Sequence, residues 1–85
     1  MQLYVVTWEF DSAEDQAYAA EALVNYIESG EDSIPIDGYE RISWIHTPQD
    51  GTGTIICKAE SASVLYKVFG PWRKNYGMKL DFLYL

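Results

Sequence analysis

The hydrophobic and polar positions of the chain predict four strands separated by two helices. Residues 1–10 carry large aliphatic, aromatic or β-branched side chains on both alternating faces. This pattern is typical of a strand that is covered on both sides, so we predict an interior position in a sheet. Further strands are predicted over residues 39–47, 52–60 and 79–85. The Asp50-Gly51 pair between the second and third strands is a strong hairpin signal.

Two stretches have helical spacing. The first covers residues 12–29, after the candidate N-cap residues Asp11 and Ser12, and stops at Ser29-Gly30. Its predicted apolar stripe is Ala13, Ala17, Ala20, Val24 and Ile27. The second helix begins at Ser61, and its predicted stripe is Ala62, Leu65, Val68, Phe69 and Trp72. Because proline lacks an N–H, we expect this helix to break at Gly70-Pro71 and to resume as a short segment over residues 71–75.

The loop of residues 48–51 also predicts the register of its hairpin. A loop of this length pairs Thr47 with Thr52, and side chains then alternate between the two faces of the sheet. The more apolar face is assigned to the helix side: Ile42, Trp44, His46, Gly53, Ile55, Cys57 and Ala59. The other face receives Arg41, Ser43, Ile45, Thr54, Ile56 and Lys58.

The order strand, helix, strand, strand, helix, strand predicts a single ferredoxin-like α+β domain over residues 1–85. Both helices should lie on one face of a four-stranded antiparallel sheet. The other face would expose an apolar patch that includes Ile45, Ile56, Leu83 and Leu85. We therefore expect a homodimer that packs sheet against sheet through a two-fold interface.

Composition and charge narrow the class of protein. Hydrophobic residues make up 48% of the chain and the net charge is −7, which indicates an acidic globular protein. Residues 1–40 contain ten acidic residues and no Lys or Arg, so binding to nucleic acid is not expected. The basic residues Lys67, Arg73 and Lys74 either contact an anion or balance the acidic first helix.

The cellular location is predicted from the absence of membrane and export signals in the sequence. No apolar run approaches the ~20 residues that a membrane span requires, and no signal peptide opens the chain. The one cysteine, Cys57, cannot form an internal disulfide and is expected to be a small core residue. These features favour a cytoplasmic protein.

Metal and phosphate sites are not predicted. The acidic connector of residues 30–38 lacks the ligand spacing of a calcium loop. The Gly51-Thr-Gly53 sequence leads into a strand, whereas a phosphate-binding loop leads into a helix. A single Cys and a single His do not form a zinc site within one chain, and no cofactor is implied.

Four short motifs resemble a bacterial family of small proteins known only as a domain of unknown function. They are Val6-Thr-Trp-Glu-Phe10, Gly51-Thr-Gly53, Ala59-Glu-Ser-Ala-Ser63 and Pro71-Trp72. The resemblance implies a ferredoxin-like fold of the dimeric α/β-barrel type and brings no catalytic residues. The strongly acidic connector departs from the family pattern.

By analogy with dimeric α/β-barrel proteins, the candidate site is a pocket between sheet and helices in each subunit. The residues expected to line it are Trp8, Trp44, His46, Tyr66 and Trp72. His46 is the weak catalytic candidate, as a general base or a haem ligand; the alternative is a solvent-facing residue at the end of its strand.

Two functional interpretations remain open. One is a module that binds a small apolar or aromatic molecule or a protein partner. The other is a small cofactor-independent enzyme, monooxygenase-like or isomerase-like, that uses His46. The scarcity of polar catalytic groups favours the first.

Overall fold

The computed structural model describes residues 1–47 and 52–84. Its elements are β1 (Gln2–Phe10), α1 (Ala13–Glu28), a 3₁₀ turn (Glu31–Ser33), β2 (Tyr39–Thr47), β3 (Thr52–Ala59), α2 (Ala62–Tyr76) and β4 (Met78–Tyr84). The strands form one antiparallel sheet in the order β2-β3-β1-β4. This confirms the ferredoxin-like prediction and the interior position of β1. The predicted hairpin loop of residues 48–51 and the last residue of the predicted fourth strand lie outside the described residues.

The core lies between the two interior strands and α2. Alternate side chains of β1 and β3 point toward the helices and meet two residues of α2. The buried residues of this core are Tyr4, Val6, Trp8, Ile55, Cys57, Ala59, Leu65 and Phe69. Cys57 is fully buried, as predicted, and burial raises the pKa of its thiol, so the neutral thiol is favoured.

The buried face of α1 differs from the predicted stripe. The helix begins after Ser12, whose Oγ accepts a hydrogen bond from the Asp15 backbone N–H at 3.1 Å. The helix ends where Gly30 adopts the left-handed conformation that glycine tolerates best. Only Ala19 is buried, whereas Val24 and Ile27 are about half exposed at 52% and 48%.

The high alanine content of α1 explains why its buried face differs from the predicted stripe. A helix rich in alanine has a weakly defined apolar face, so periodicity alone does not select the side that packs. Half-buried Leu23 and Tyr26, not Val24 and Ile27, continue the buried face from Ala19. The predicted stripe was therefore wrong for most of its members.

The second helix runs without the predicted break. α2 is continuous over Ala62–Tyr76 and includes Pro71. Leu65 and Phe69 are buried before the proline and Trp72 is half-buried after it, so packing holds both halves in line despite the lost hydrogen bond. Gly70 also favours a continuous helix, because the residue before a proline has no Cβ here that could clash with the proline ring.

The β2–β3 register confirms the predicted pairing of Thr47 with Thr52 and corrects the predicted face of Arg41. Thr47 pairs with Thr52 and His46 with Gly53, but the register shifts between Arg41 and Ser43. The extra residue is Ile42, which forms a β-bulge. Arg41 consequently pairs with Cys57 and lies on the helix side of the sheet, whereas the regular alternation had placed it on the opposite face.

The face of the sheet away from the helices is partly apolar. Leu3, Val5 and Ile56 are half-buried near its middle, while Ile45 and Leu83 are 60% and 54% exposed on the edge strands. Leu85, which was expected to extend this patch, lies outside the described residues.

Candidate functional site

A cavity of about 390 Å³ lies between α1, the connector after α1 and the helix side of the sheet. This volume falls within the range of small-molecule pockets, about 300–1,000 Å³. Aromatic side chains dominate its walls: Trp8, Phe10, Tyr26, Tyr39, Trp44, Phe69 and Trp72. The polar side chains that line it are Gln16, Asp32, Ser33, Arg41 and His46.

α1 packs against α2 beside the cavity and contributes the small side chains of Ala19 and Ala20 to its wall. Tyr26 meets Trp72 edge-on with ring centroids 5.7 Å apart, and Tyr18 meets Tyr76 at 5.2 Å. Ala19 lies over the space between, and a methyl group does not fill the gap to the sheet. The Ile-Pro-Ile sequence of the connector, residues 34–36, lines this side of the cavity.

Trp8 forms part of the cavity floor by lying across Gly53. A Cβ atom at Gly53 would lie 2.6 Å from both Cε2 and Cη2 of the Trp8 indole, which is closer than real Cβ contacts. The absence of a side chain at residue 53 therefore lets the indole reach over β3. On the other side of β3, His46 pairs with the same glycine.

His46 lines the cavity while remaining exposed. It is the penultimate residue of β2. Trp8 on β1 and His46 on β2 both pair with Gly53, so a single residue of β3 lies between their backbones. The imidazole therefore lies at the cavity edge, where it can contact both water and a ligand.

An ion pair joins the connector to the sheet at the cavity wall. The Arg41 guanidinium donates two hydrogen bonds to the Asp32 carboxylate, at 2.9 and 3.0 Å. The same guanidinium lies over the Trp44 ring, 4.8 Å from its centroid. The hydrogen bonds from Arg41 hold the pKa of Asp32 below its usual range, so both groups are charged at neutral pH.

Two tyrosines of the wall stay protonated at neutral pH. Burial raises the pKa of Tyr39, and burial together with the nearby Asp32 and Glu31 carboxylates raises that of Tyr26. Their hydroxyl groups can therefore donate hydrogen bonds but are not bases under these conditions.

The Trp44 indole carries the one buried side-chain polar atom without a hydrogen-bond partner in the described part of the chain. Its Nε1–H is screened from solvent, and no acceptor lies within reach. Leaving such a donor unpaired costs about 1–3 kcal/mol. Buried polar groups of this kind call for a structural or functional explanation.

Four of the five predicted site residues line this cavity: Trp8, Trp44, His46 and Trp72. Tyr66 does not. It is 57% exposed on α2 and packs edge-on against Phe82, with ring centroids 5.1 Å apart.

Sequence reasoning did not select several other lining residues. Arg41 reaches the cavity because of the bulge at Ile42, for which an isolated strand sequence gives no clear signal. Asp32 belongs to the acidic connector of residues 30–38, for which the sequence predicts no site. The Ile-Pro-Ile sequence at residues 34–36 was the available signal, because consecutive apolar side chains in an otherwise acidic connector favour contact with another apolar surface.

Within residues 1–47 and 52–84, no three His, Cys, Asp or Glu side chains are grouped so as to hold a metal ion. Neither of the two described α-helices combines the length and the apolar character needed to cross a membrane.

The fold and cavity define a small ferredoxin-like α+β protein with a helix-covered aromatic pocket. The family defined as Domain of unknown function (DUF3303) matches residues 2–82, so the chain belongs to this family. The resemblance deduced from the four motifs is thereby confirmed. No curated protein shows detectable similarity to the chain.

A solved structure shares the fold. It is a protein of Deinococcus radiodurans assigned to the antibiotic biosynthesis monooxygenases, with a crystal structure at 1.40 Å resolution. The superposition has a TM-score of 0.52 and 15% sequence identity, and covers 100% of this chain and 92% of the other. At this identity the likeness establishes the common fold.

Proposed function

We propose that this protein binds a small, flat, largely apolar molecule in the cavity between α1 and the sheet. The observation that carries this proposal is a cavity of about 390 Å³ whose lining is mostly apolar and includes seven aromatic side chains. Most of a small aromatic ligand would be removed from water there, which contributes about 25 cal/mol per Å² of apolar surface.

The test is binding of neutral aromatic fragments, measured by ligand-observed NMR. An Ala19→Phe variant should weaken binding, because the added ring projects from α1 into the space that the ligand would use. Native mass spectrometry of the purified protein provides a second measurement, since a retained compound adds a reproducible mass.

Ala17→Phe is the matched control. Residues 17 and 19 are two positions apart, and therefore lie on nearly opposite sides of α1. Ala17 is exposed and does not line the cavity, so its variant should bind the fragments like the wild type. Absence of fragment binding, or binding unaffected by Ala19→Phe, would reject the proposed site.

A second candidate function is proton transfer on a bound ligand by His46. It is favoured by one observation: the imidazole lines the same cavity, across Gly53 from Trp8. As a general base, His46 would remove a proton from a carbon beside a ligand carbonyl, and the proton would return from the same imidazole or from water.

Deuterium exchange tests this candidate. In D₂O, the protein should accelerate replacement of the C2 protons of a cyclic ketone such as 1-indanone, and His46→Ala should remove the acceleration while preserving binding. If the wild type exchanges these protons no faster than buffer, the enzymatic candidate is rejected and the binding function is unaffected.

We also propose that two copies associate through the face of the sheet away from the helices. Exposed Ile45 and Leu83 beside half-buried Leu3, Val5 and Ile56 support this assembly, because a small monomer rarely exposes so much contiguous apolar surface. The single buried thiol of Cys57 supports a cytoplasmic location.

A further inference from the structure

The unpaired Trp44 N–H gives chemical information about the ligand. Within the described residues, it is the buried side-chain donor for which the protein supplies no acceptor. Trp44 also lines the cavity. A ligand that brings an acceptor oxygen would remove the cost of the unpaired donor, whereas a pure hydrocarbon would leave that cost in place.

The charges at the cavity wall give a second constraint. Arg41 and Asp32 neutralise each other through a two-point hydrogen-bonded pair. A ligand carboxylate would have to displace Asp32 from Arg41 and leave one carboxylate without its partner. The wall therefore favours a ligand without formal charge.

The position of Arg41 defines how the indole can move. The guanidinium covers one side of the Trp44 ring at 4.8 Å, and Asp32 holds the guanidinium in place. The Nε1–H is screened from solvent, so contact with a ligand oxygen requires the indole to shift beside this cation.

We propose that the ligand is a neutral aromatic compound with a carbonyl-type acceptor oxygen, and that the Trp44 N–H donates a hydrogen bond to this oxygen. The inference rests on the proposed binding function and assigns Trp44 as a specificity-determining residue. Trp8 and Trp72 supply apolar wall, while Trp44 distinguishes a ketone from the matching hydrocarbon.

Indane and 1-indanone are a matched pair of probes, because they share one ring frame and differ by a CH₂ and a C=O group. Both are titrated into ¹⁵N-labelled protein while ¹H–¹⁵N spectra are recorded. The chain has three tryptophans, and loss of one indole signal in Trp44→Phe identifies the Trp44 resonance. We expect 1-indanone to move this N–H signal downfield and indane to leave it near its original position.

Affinity provides an independent readout. Trp44→Phe should lower the affinity for 1-indanone about three- to tenfold more than the affinity for indane, the range expected for one neutral hydrogen bond. Trp72→Phe is the control, since it removes another indole from the same wall. It should weaken both probes by the same factor.

The outcomes separate the two levels of the proposal. Binding of both probes with equal losses in Trp44→Phe and an unmoved Trp44 signal overturns the specificity assignment and leaves the binding function intact. Tighter binding of indane-1-carboxylate than of 1-indanone overturns the assignment of a neutral ligand. If neither indane nor 1-indanone shifts any cavity resonance, this inference and the proposed function fail together.

Discussion

Gly53 illustrates how a missing side chain shapes the site. Its place in β3 lies directly beneath the Trp8 indole, and the pairing partner on the other side is His46. Glycine normally weakens a strand, so its presence within a central strand indicates a close approach of another group. Here that group is the aromatic ring that forms the cavity floor.

Replacing Gly53 with alanine should destabilise the fold by about 1–3 kcal/mol, because the added methyl group overlaps the Trp8 ring. The measurement is the free energy of unfolding in urea. In a Trp8→Leu background the same substitution should cost much less, since the overlapping ring is gone. An equal cost in both backgrounds would show that the two residues do not interact.

Asp32 is expected to contribute a pH-dependent stabilisation. Its pKa is lowered in the folded state by hydrogen bonds from Arg41. The contribution is therefore complete above the unfolded pKa of about 4 and is lost as the pH falls through the lower folded value. Since the Arg41 and Asp32 side chains are 34% and 24% exposed, the contribution should not exceed about 1 kcal/mol.

Urea unfolding of Asp32→Asn at pH 7 and at pH 3 or below tests this expectation. The variant should be less stable than wild type at pH 7, and the difference should shrink in acid. Asp37→Asn, in the same connector but exposed, is the control and should change little at either pH. A difference that persists undiminished in acid would contradict the role assigned to the charge of Asp32.

At the scale of elements, most bounds were predictable from local chemistry. Strand-forming residues, N-cap residues and Ser29-Gly30 act within a few positions, so the sequence contains their full signal. The continuous α2 was not predictable in the same way. Its course through Pro71 depends on the burial of Leu65 and Phe69 against the sheet, which is a tertiary effect.

The two helices differ in how their first turns are capped. Ser12 accepts a hydrogen bond from the Asp15 N–H, whereas Ser61 precedes α2 without a side-chain cap hydrogen bond. Ser12→Ala should therefore cost about 1 kcal/mol of stability, while Ser61→Ala should cost close to nothing. Thermal and urea unfolding of the two variants check the difference, and equal losses would contradict it.

At the scale of the whole molecule, the pocket was predictable in outline but not in composition. The analogy with dimeric α/β-barrel proteins indicated Trp8, Trp44, His46 and Trp72, and was wrong for Tyr66. The rest of the wall depends on the distance between α1 and the sheet and on the path of the connector along the cavity. Those distances result from the Tyr26–Trp72 contact, which joins residues far apart in sequence, and from the Arg41–Asp32 pair, which depends on the bulge in β2.

Assembly can be tested with two substitutions of similarly exposed residues. Leu83 on the open sheet face is 54% exposed and Val24 on α1 is 52% exposed. Sedimentation velocity should show a wild-type dimer that Leu83→Glu converts to monomer, because the charge would be buried in the interface. Val24→Glu should remain dimeric. A monomeric wild type, or a dimer disrupted only by Val24→Glu, would refute pairing through the sheet.

The bulge at Ile42 has a consequence for changes in chain length. Arg41 and Ser43 already pair with the adjacent residues Cys57 and Ile56, so the ladder is complete without Ile42. Loss of this single codon would leave every remaining side chain of β2 on its present face. Loss of Ser43 would have the same result, because Ile42 would then take the place opposite Ile56. Position 42 is thus a site where insertions and deletions can accumulate between relatives without moving Arg41 or Trp44 out of the cavity.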